Sequence, residues 1–250
     1  MTGWEIYCCR LGTRATLASR QISGDTGPRT SVYLLWVLRR GDEVVLVDTG
    51  VTEPEAAKRG ITDLVAPKIA LGRLGIDPDQ VERVLVSHLH GDHFCAWDAY
   101  PRARFLVQHA DLEFFSGPYA RFPSLVRNAS DMAGVMTLNY QGRIEVVSGD
   151  VPADSGLDLV RTGGHTPGSQ AVVVETAAGP RVICGDVAGT YRTIALLEPS
   201  PLSTSRPEAV VAMDRLLGLV GGDAGHLYPS HDLQLFEHGS EIADGVFRMR

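Results

Sequence analysis

Residues 87–93 read Ser-His-Leu-His-Gly-Asp-His and follow an apolar run, Val81 to Val86. Four side chains able to ligate a metal, His88, His90, Asp92 and His93, fall within six positions. A strand that stops at Ser87 and turns can aim His88 and His90 to one side, because alternate residues of an extended chain share a face. Asp92 and His93 then face a second point a short distance on, a spacing that suits two ions better than one. The chemistry available to such a pair is metal-assisted hydrolysis.

Three further segments repeat one design, in which a buried strand and a small residue are followed by a ligand-type residue at the exposed end. Gly163-Gly164-His165-Thr166-Pro167-Gly168-Ser169 follows Leu157 to Arg161, and its glycines let the backbone turn tightly. Gly185-Asp186 follows Val182-Ile183-Cys184, and Ser230-His231 follows Leu227-Tyr228. Five of the eight histidines fall in such places, whereas His109, His226 and His238 do not.

The elements that must position these residues are mostly strands. Ser31 to Leu38 and Glu43 to Val47 flank Arg39-Arg40-Gly41-Asp42 and read as a hairpin. Val81 to Val86, Arg104 to Val107, Arg143 to Val147, Leu157 to Arg161, Gln170 to Glu175, Arg181 to Cys184 and Gly225 to Tyr228 are further strand candidates. Helical patterns cover about Pro54 to Leu74, His109 to Phe115 and Pro207 to Val220. Many turns and few regular strand–helix repeats suit two face-to-face sheets with helices outside. Residues 1–250 are read as one domain, with an irregular apolar insertion at about 112–141 as a lid or a dimer surface. Phe114, Phe115, Tyr119, Phe122, Leu125, Met132, Met136, Leu138 and Tyr140 give that insertion its character.

Composition narrows the function classes. A net charge of −7 with scattered acids leaves no footprint for nucleic acid. The N-terminal residues carry Glu5 and no long apolar stretch, so neither a signal peptide nor a membrane span is expected. Cys8, Cys9, Cys95 and Cys184 show no C-x-x-C spacing and point to reduced thiols in a cytoplasmic protein.

The set His88-x-His90-x-Asp92-His93, Gly164-His165-Thr166-Pro167-Gly168, Gly185-Asp186 and Ser230-His231, preceded by Asp48-Thr49-Gly50, resembles the metallo-β-lactamase superfamily in its dinuclear form. The resemblance implies an α/β fold, a four-layer αββα sandwich. It also implies that His88, His90 and His165 bind a first metal, Asp92, His93 and His231 a second, and that Asp186 bridges them with a shared water or hydroxide. Asp48 would orient ligands through hydrogen bonds. Two Zn²⁺ per chain fit this donor set best, with Mn²⁺, Fe²⁺ or Co²⁺ as alternatives.

Departures exclude several branches of that superfamily. Asp186 stands where common metallo-β-lactamases have Cys, and His90 stands where redox di-iron members have Glu. The chain is most similar to the N-acyl homoserine lactonase branch, which includes pyridoxolactonase-like enzymes, through His88 to His93, Phe105 to Pro118 and Gly164 to Gln170. The resemblance therefore implies a hydrolase that opens a lactone, with thioester hydrolysis as the alternative and a non-catalytic binding module as a third reading. Asp92 would move a proton to the leaving group. Tyr191, five residues after Asp186, is the candidate substrate-binding hydroxyl, although the family pattern places that tyrosine where Gly189 stands here. The expected partner is a small molecule with a hydrolysable carbonyl, bound by a monomer or homodimer, with no nucleic acid and no membrane.

Overall fold

The computed structural model describes residues 3–122, 126 and 129–250. The strands are β1 (Glu5–Leu17), β2 (Pro28–Arg40), β3 (Glu43–Val47), β4 (Arg83–Leu85), β5 (Arg104–Gln108), β6 (Ile144–Val147), β7 (Val151–Asp154), β8 (Leu157–Arg161), β9 (Gln170–Thr176), β10 (Gly179–Ile183), β11 (Leu227–Tyr228), β12 (Gly239–Ala243) and β13 (Val246–Met249). The helices are α1 (Glu53–Arg59), α2 (Pro67–Gly72), α3 (His109–Ser116), α4 (Met132–Tyr140), α5 (Tyr191–Leu196) and α6 (Arg206–Leu219). One sheet runs β12-β13-β1-β2-β3-β4-β5-β6 and the other β11-β10-β9-β8-β7.

The period of two in β2 explains the layering. Val32, Leu34, Trp36 and Leu38 point into the core between the sheets, where they meet Leu159, Val172, Ile183 and Tyr228. Leu35 and Val37 point the other way, into a core closed by Leu71 of α2, Phe115 of α3 and Val135 and Leu138 of α4. A third core packs Ala209, Ala212, Met213 and Leu216 of α6 and Ile194 of α5 on the smaller sheet. Helices therefore cover both outer faces, as the αββα expectation required.

Strand direction assembles the site. β3, β4 and β5 run parallel in the large sheet. β8 and β10 both run antiparallel to β9, and β11 runs parallel to β10. The carboxyl ends that carry Asp48, the 88–93 segment, His165, Asp186 and His231 thus gather along one edge of the sandwich. Gln170 pins the two sheets there: its backbone N–H donates to Ser87 O at 2.9 Å and its side-chain amide to Val86 O at 2.6 Å.

Some expectations need correction. The helix expected over Pro54 to Leu74 is two short helices, because Gly60 closes α1 in the left-handed region (φ 70°) and Pro67 begins α2 afresh. The strand expected over Val81 to Val86 shrinks to β4, and β1, β7, β12 and β13 had no counterpart in the sequence reading. The apolar insertion is divided in its roles. Phe115, Val135 and Leu138 are core, while Phe114 and Tyr119 line the cleft above the site. Leu125 lies outside the described residues. All four cysteines are free, and burial pushes Cys9 and Cys184 up to about 12, so they are inert core thiols. Among the described residues no helix is long and apolar enough to cross a membrane.

Candidate metal centre

The turn after β4 winds tightly, with His93 N–H bonded to His90 O at 3.0 Å. Thr49 clamps this turn from β3: its backbone N–H and its hydroxyl both donate to His93 O, at 2.8 and 3.0 Å. On the opposite side, Gly164 presents His165 from a backbone at φ 75°, and a Cβ on Gly164 would sit 2.6 Å from Ala209 of α6. Only glycine meets both demands there. Asp111 of α3 then ties the two ligand loops together. One carboxylate oxygen accepts from Leu89 N–H at 2.9 Å and the other from Gly168 N–H at 2.7 Å. Burial pushes Asp111 up to about 6, against the pull of its N–H donors.

All seven expected ligands come together. The ligand atoms of His88, His90, His165 and Asp186 lie within 4.8 Å of one another, as do those of Asp92, His93 and His231. In the first group His88 Nε2 and His165 Nε2 approach His90 Nδ1 at 2.9 and 3.0 Å. Asp186 Oδ2 lies 3.4 Å from His165 Nε2 and 3.9 Å from His88 Nε2. Its Oδ1 turns to the second group, 3.2 Å from both His93 Nε2 and His231 Nε2, and its Oδ2 also reaches His231 Nε2 at 3.3 Å. Asp186 thus stands between the groups.

Outer hydrogen bonds orient the second group. His93 Nδ1–H donates to Asp48 Oδ2 at 2.7 Å and His231 Nδ1–H to Val32 O at 2.9 Å, so each ring turns its Nε2 inward. Asp48 adopts φ 65°, which carries its carboxylate beneath the turn, where it also accepts from Ser87 N–H and Oγ–H at 2.7 and 2.9 Å. Asp92 Oδ2 faces His231 and His93 at 3.9 and 4.0 Å. Its Oδ1 lies 3.0 Å from Arg59 Nη2, a charge contact whose angle does not make a hydrogen bond, and Glu55 holds Arg59 through Nε at 2.6 Å.

The electrostatics divide along the same line. Burial holds His88 well below the ordinary imidazole range, lowers His165, and takes His90 down to about 3, with neighbouring imidazoles adding to the effect. Burial acts the same way on His93 and His231, but the Asp186 and Asp92 carboxylates outweigh it and raise both. Burial opposes ionisation of Asp186 and Asp92 too, yet the surrounding imidazoles, and Arg59 at Asp92, hold both below the usual carboxylate range.

The donor set fits metal. His93 Nε2 and Asp186 Oδ1 are buried without a hydrogen-bond partner, an arrangement that costs about 1–3 kcal/mol per group unless something fills the gap. Nitrogen and carboxylate donors without thiolate suit Zn²⁺ or a similar cation.

Tyr191 is not brought to this centre. Thr190 caps α5 through a reciprocal capping box, Tyr191 N–H donates to Asp232 Oδ2 at 3.0 Å, and the ring turns away to stack on His238 at 4.8 Å. The hydroxyl is buried and unpartnered, and burial raises its pKa far above the ordinary phenol range. Its neighbour Gly189 lines the cleft instead, together with Tyr33, whose ring meets His231 edge-on at 5.3 Å. Sequence reasoning missed Tyr33, Arg59 and Asp111. Tyr33 is hidden in an apolar strand and the others lie in helices, so no spacing signal marks them. His109, His226 and His238 lie outside the two ligand groups among the described residues.

A family model described as the metallo-beta-lactamase superfamily matches residues 25–231. An N-acyl homoserine lactonase of Bacillus thuringiensis is 25% identical over 215 residues, 80% of each chain. A second, from a Bacillus species, is 27% identical over 170 residues, and the match spans 62% of this chain and 63% of that relative. Among solved structures, an N-acyl homoserine lactone hydrolase with N-hexanoyl-L-homoserine at its metal centre superposes with a TM-score of 0.76 at 20% identity, covering 97% of this chain and 98% of that one. A dizinc quorum-quenching lactonase gives 0.71 at 13% identity, covering 92% and 88%.

Proposed function

The chain belongs to the metallo-β-lactamase superfamily, and from that premise we propose that it is a metal-dependent hydrolase of the N-acyl homoserine lactonase-like branch, opening a lactone ring at a dinuclear metal centre. The observation that carries the dinuclear reading is the position of Asp186, whose carboxylate lies within 3.4 Å of imidazoles from both ligand groups, His165 on one side and His93 and His231 on the other. His88, His90 and His165 would hold one cation, Asp92, His93 and His231 the other, and Asp186 both. Two Zn²⁺ ions so held would supply hydroxide at neutral pH and an electrophile for the carbonyl oxygen.

The chain's own residues then do the following work. Asp48 and the Val32 carbonyl fix the tautomers of His93 and His231, so that Nε2 keeps its lone pair for ligation. Asp92 has its Oδ1 held against Arg59 and its Oδ2 toward His93 and His231, and from there its carboxylate would pass the proton still carried by the added hydroxide to the departing ring oxygen. Tyr33, rather than Tyr191, supplies the hydroxyl that faces the cleft. Burial, reinforced by the Asp92 charge, raises its pKa and keeps it a proton donor for a substrate oxygen. The reading takes residues 1–250 as one domain because the inter-sheet core draws on both ends of the chain, from Trp4 to Met249. Small-molecule lactones, of acylated homoserine or a related alcohol, are the substrate class.

The test is to load the protein with Zn²⁺ and follow acid release from a panel of lactones, thioesters and phosphodiesters. Turnover of lactones in preference to the others is expected. Thioester or phosphodiester cleavage with no lactone turned over would reassign the substrate.

A further inference from the structure

A cleft of about 690 Å³ opens over the metal centre, and among the described residues its lining sets Arg14, Arg20, Lys58 and Arg59 against two carboxylates, Asp92 and Asp186. This runs against the molecule as a whole, whose net charge is −7. Both carboxylates belong to the ligand groups, so bound cations would leave the lining still more positive. Two of the four basic groups are already engaged, Arg59 by Asp92 and Glu55 and Lys58 by Glu55. Arg14 and Arg20 pair with no carboxylate among the described residues. Elsewhere arginines are commonly neutralised, as in Arg73–Asp244, Arg83–Asp154 and Arg192–Asp25.

Arg14 is half-buried and Arg20 is exposed at the rim, and both line the cleft. Arg14, on β1, stands against the hydroxyl of Tyr33, whose ring in turn touches His231. Arg20 sits on the turn between β1 and β2, and its carbonyl accepts from Ser200 Oγ–H at 3.0 Å, which ties that turn to the loop opposite. Guanidiniums without a carboxylate partner in a concave wall attract anions, and a guanidinium recognises a planar carboxylate through two parallel hydrogen bonds.

We propose that the part of the substrate remote from the hydrolysed bond carries a carboxylate, and that Arg14 and Arg20 bind it. The proposal rests on the hydrolase reading for the reacting end alone. It makes these two arginines specificity-determining residues and the preferred substrate an anionic ester or lactone instead of one with a neutral alkyl tail.

The experiment measures binding, which keeps it separate from turnover. Zn²⁺-loaded protein is titrated calorimetrically with a homologous series of straight-chain dicarboxylates and with the monocarboxylates of matched length. At least one dicarboxylate is expected to bind about tenfold tighter than its match, the order for a charge-assisted pair in a partly enclosed site. The gap should shrink as salt is raised. Arg14→Gln with Arg20→Gln should erase most of it while monocarboxylate affinity, which reports an intact centre, stays within about twofold. The proposal fails if no dicarboxylate exceeds its match by more than about twofold, or if the gap survives in the double variant. A gap with no lactone turned over would leave the cationic wall standing and misassign only the bond cleaved.

Discussion

The two ligand groups share Asp186 and little else. His88, His90 and His165 are three neutral imidazoles held mainly by burial and loop packing, and His165 Nδ1 has no partner. Asp92, His93 and His231 are held by directed contacts, from Arg59, Asp48 and the Val32 carbonyl, and the neighbouring carboxylates favour the charged form of both imidazoles. The first group presents lone pairs without competition from protons. The second presents imidazoles that keep their protons beside carboxylates. One chain thus has a subsite ready for a cation and a subsite that must exchange protons for one.

The sharpest way to break this contrast is to remove what the groups share. Asp186→Ala should abolish the difference between them by crippling both, with activity down by about a thousandfold or more, near 4 kcal/mol of barrier, and metal content below two ions per chain by elemental analysis. Asp48→Asn should act on the second group alone. Asparagine tolerates the left-handed backbone at φ 65° but loses the charge beside His93. Metal affinity at one of two sites should fall about 10–100-fold, with the other unchanged in a two-site titration. Asp111→Ala is the counterpart for the first group. It orphans the N–H groups of Leu89 and Gly168, and should lower stability by about 1–3 kcal/mol in denaturant unfolding.

The smallest effect is the most diagnostic. His93 and His231 are raised by the Asp186 and Asp92 carboxylates, so they hold their protons more tightly than the first group does, and ligation must displace them. His88, His90 and His165 are lowered and have already lost theirs. Beyond the proton lost by the water that becomes hydroxide, loading should therefore release more protons with one of the two ions than with the other, when calorimetry is repeated in buffers of different ionisation enthalpy. As pH falls, affinity should weaken earlier at that ion's site, whose imidazoles are raised, than at the other, whose imidazoles are lowered. Equal proton release from both sites would erase the distinction.

How much of this was legible in the sequence follows from distance along the chain. The ligands were readable because each ends a buried strand, and such strands declare themselves by apolar, β-branched runs. The contacts that orient them were only half readable. Asp48 carries its own motif, but Arg59 reaches Asp92 from a helix 33 positions earlier and Asp111 bridges two loops from another. Tyr191 was misplaced because nearness to Asp186 in sequence says nothing of rotation, and the Thr190 cap starts a helix that swings the ring away. Tyr33 was overlooked because, inside an apolar strand, a cleft-facing tyrosine and a core tyrosine look alike. β1 escaped because its alternation is blurred by adjacent buried Cys8 and Cys9 and by a register shift between Arg10 and Gly12.

The most direct measurement is diffraction from Zn²⁺-grown crystals, with anomalous maps recorded on both sides of the zinc edge. Two peaks about 3.5–4 Å apart are expected, one among His88, His90 and His165 and the other among Asp92, His93 and His231, with an Asp186 oxygen toward each. A single peak, with His93 and His231 still turned onto the Asp186 carboxylate, would contradict the dinuclear centre and the hydrolysis assigned to it.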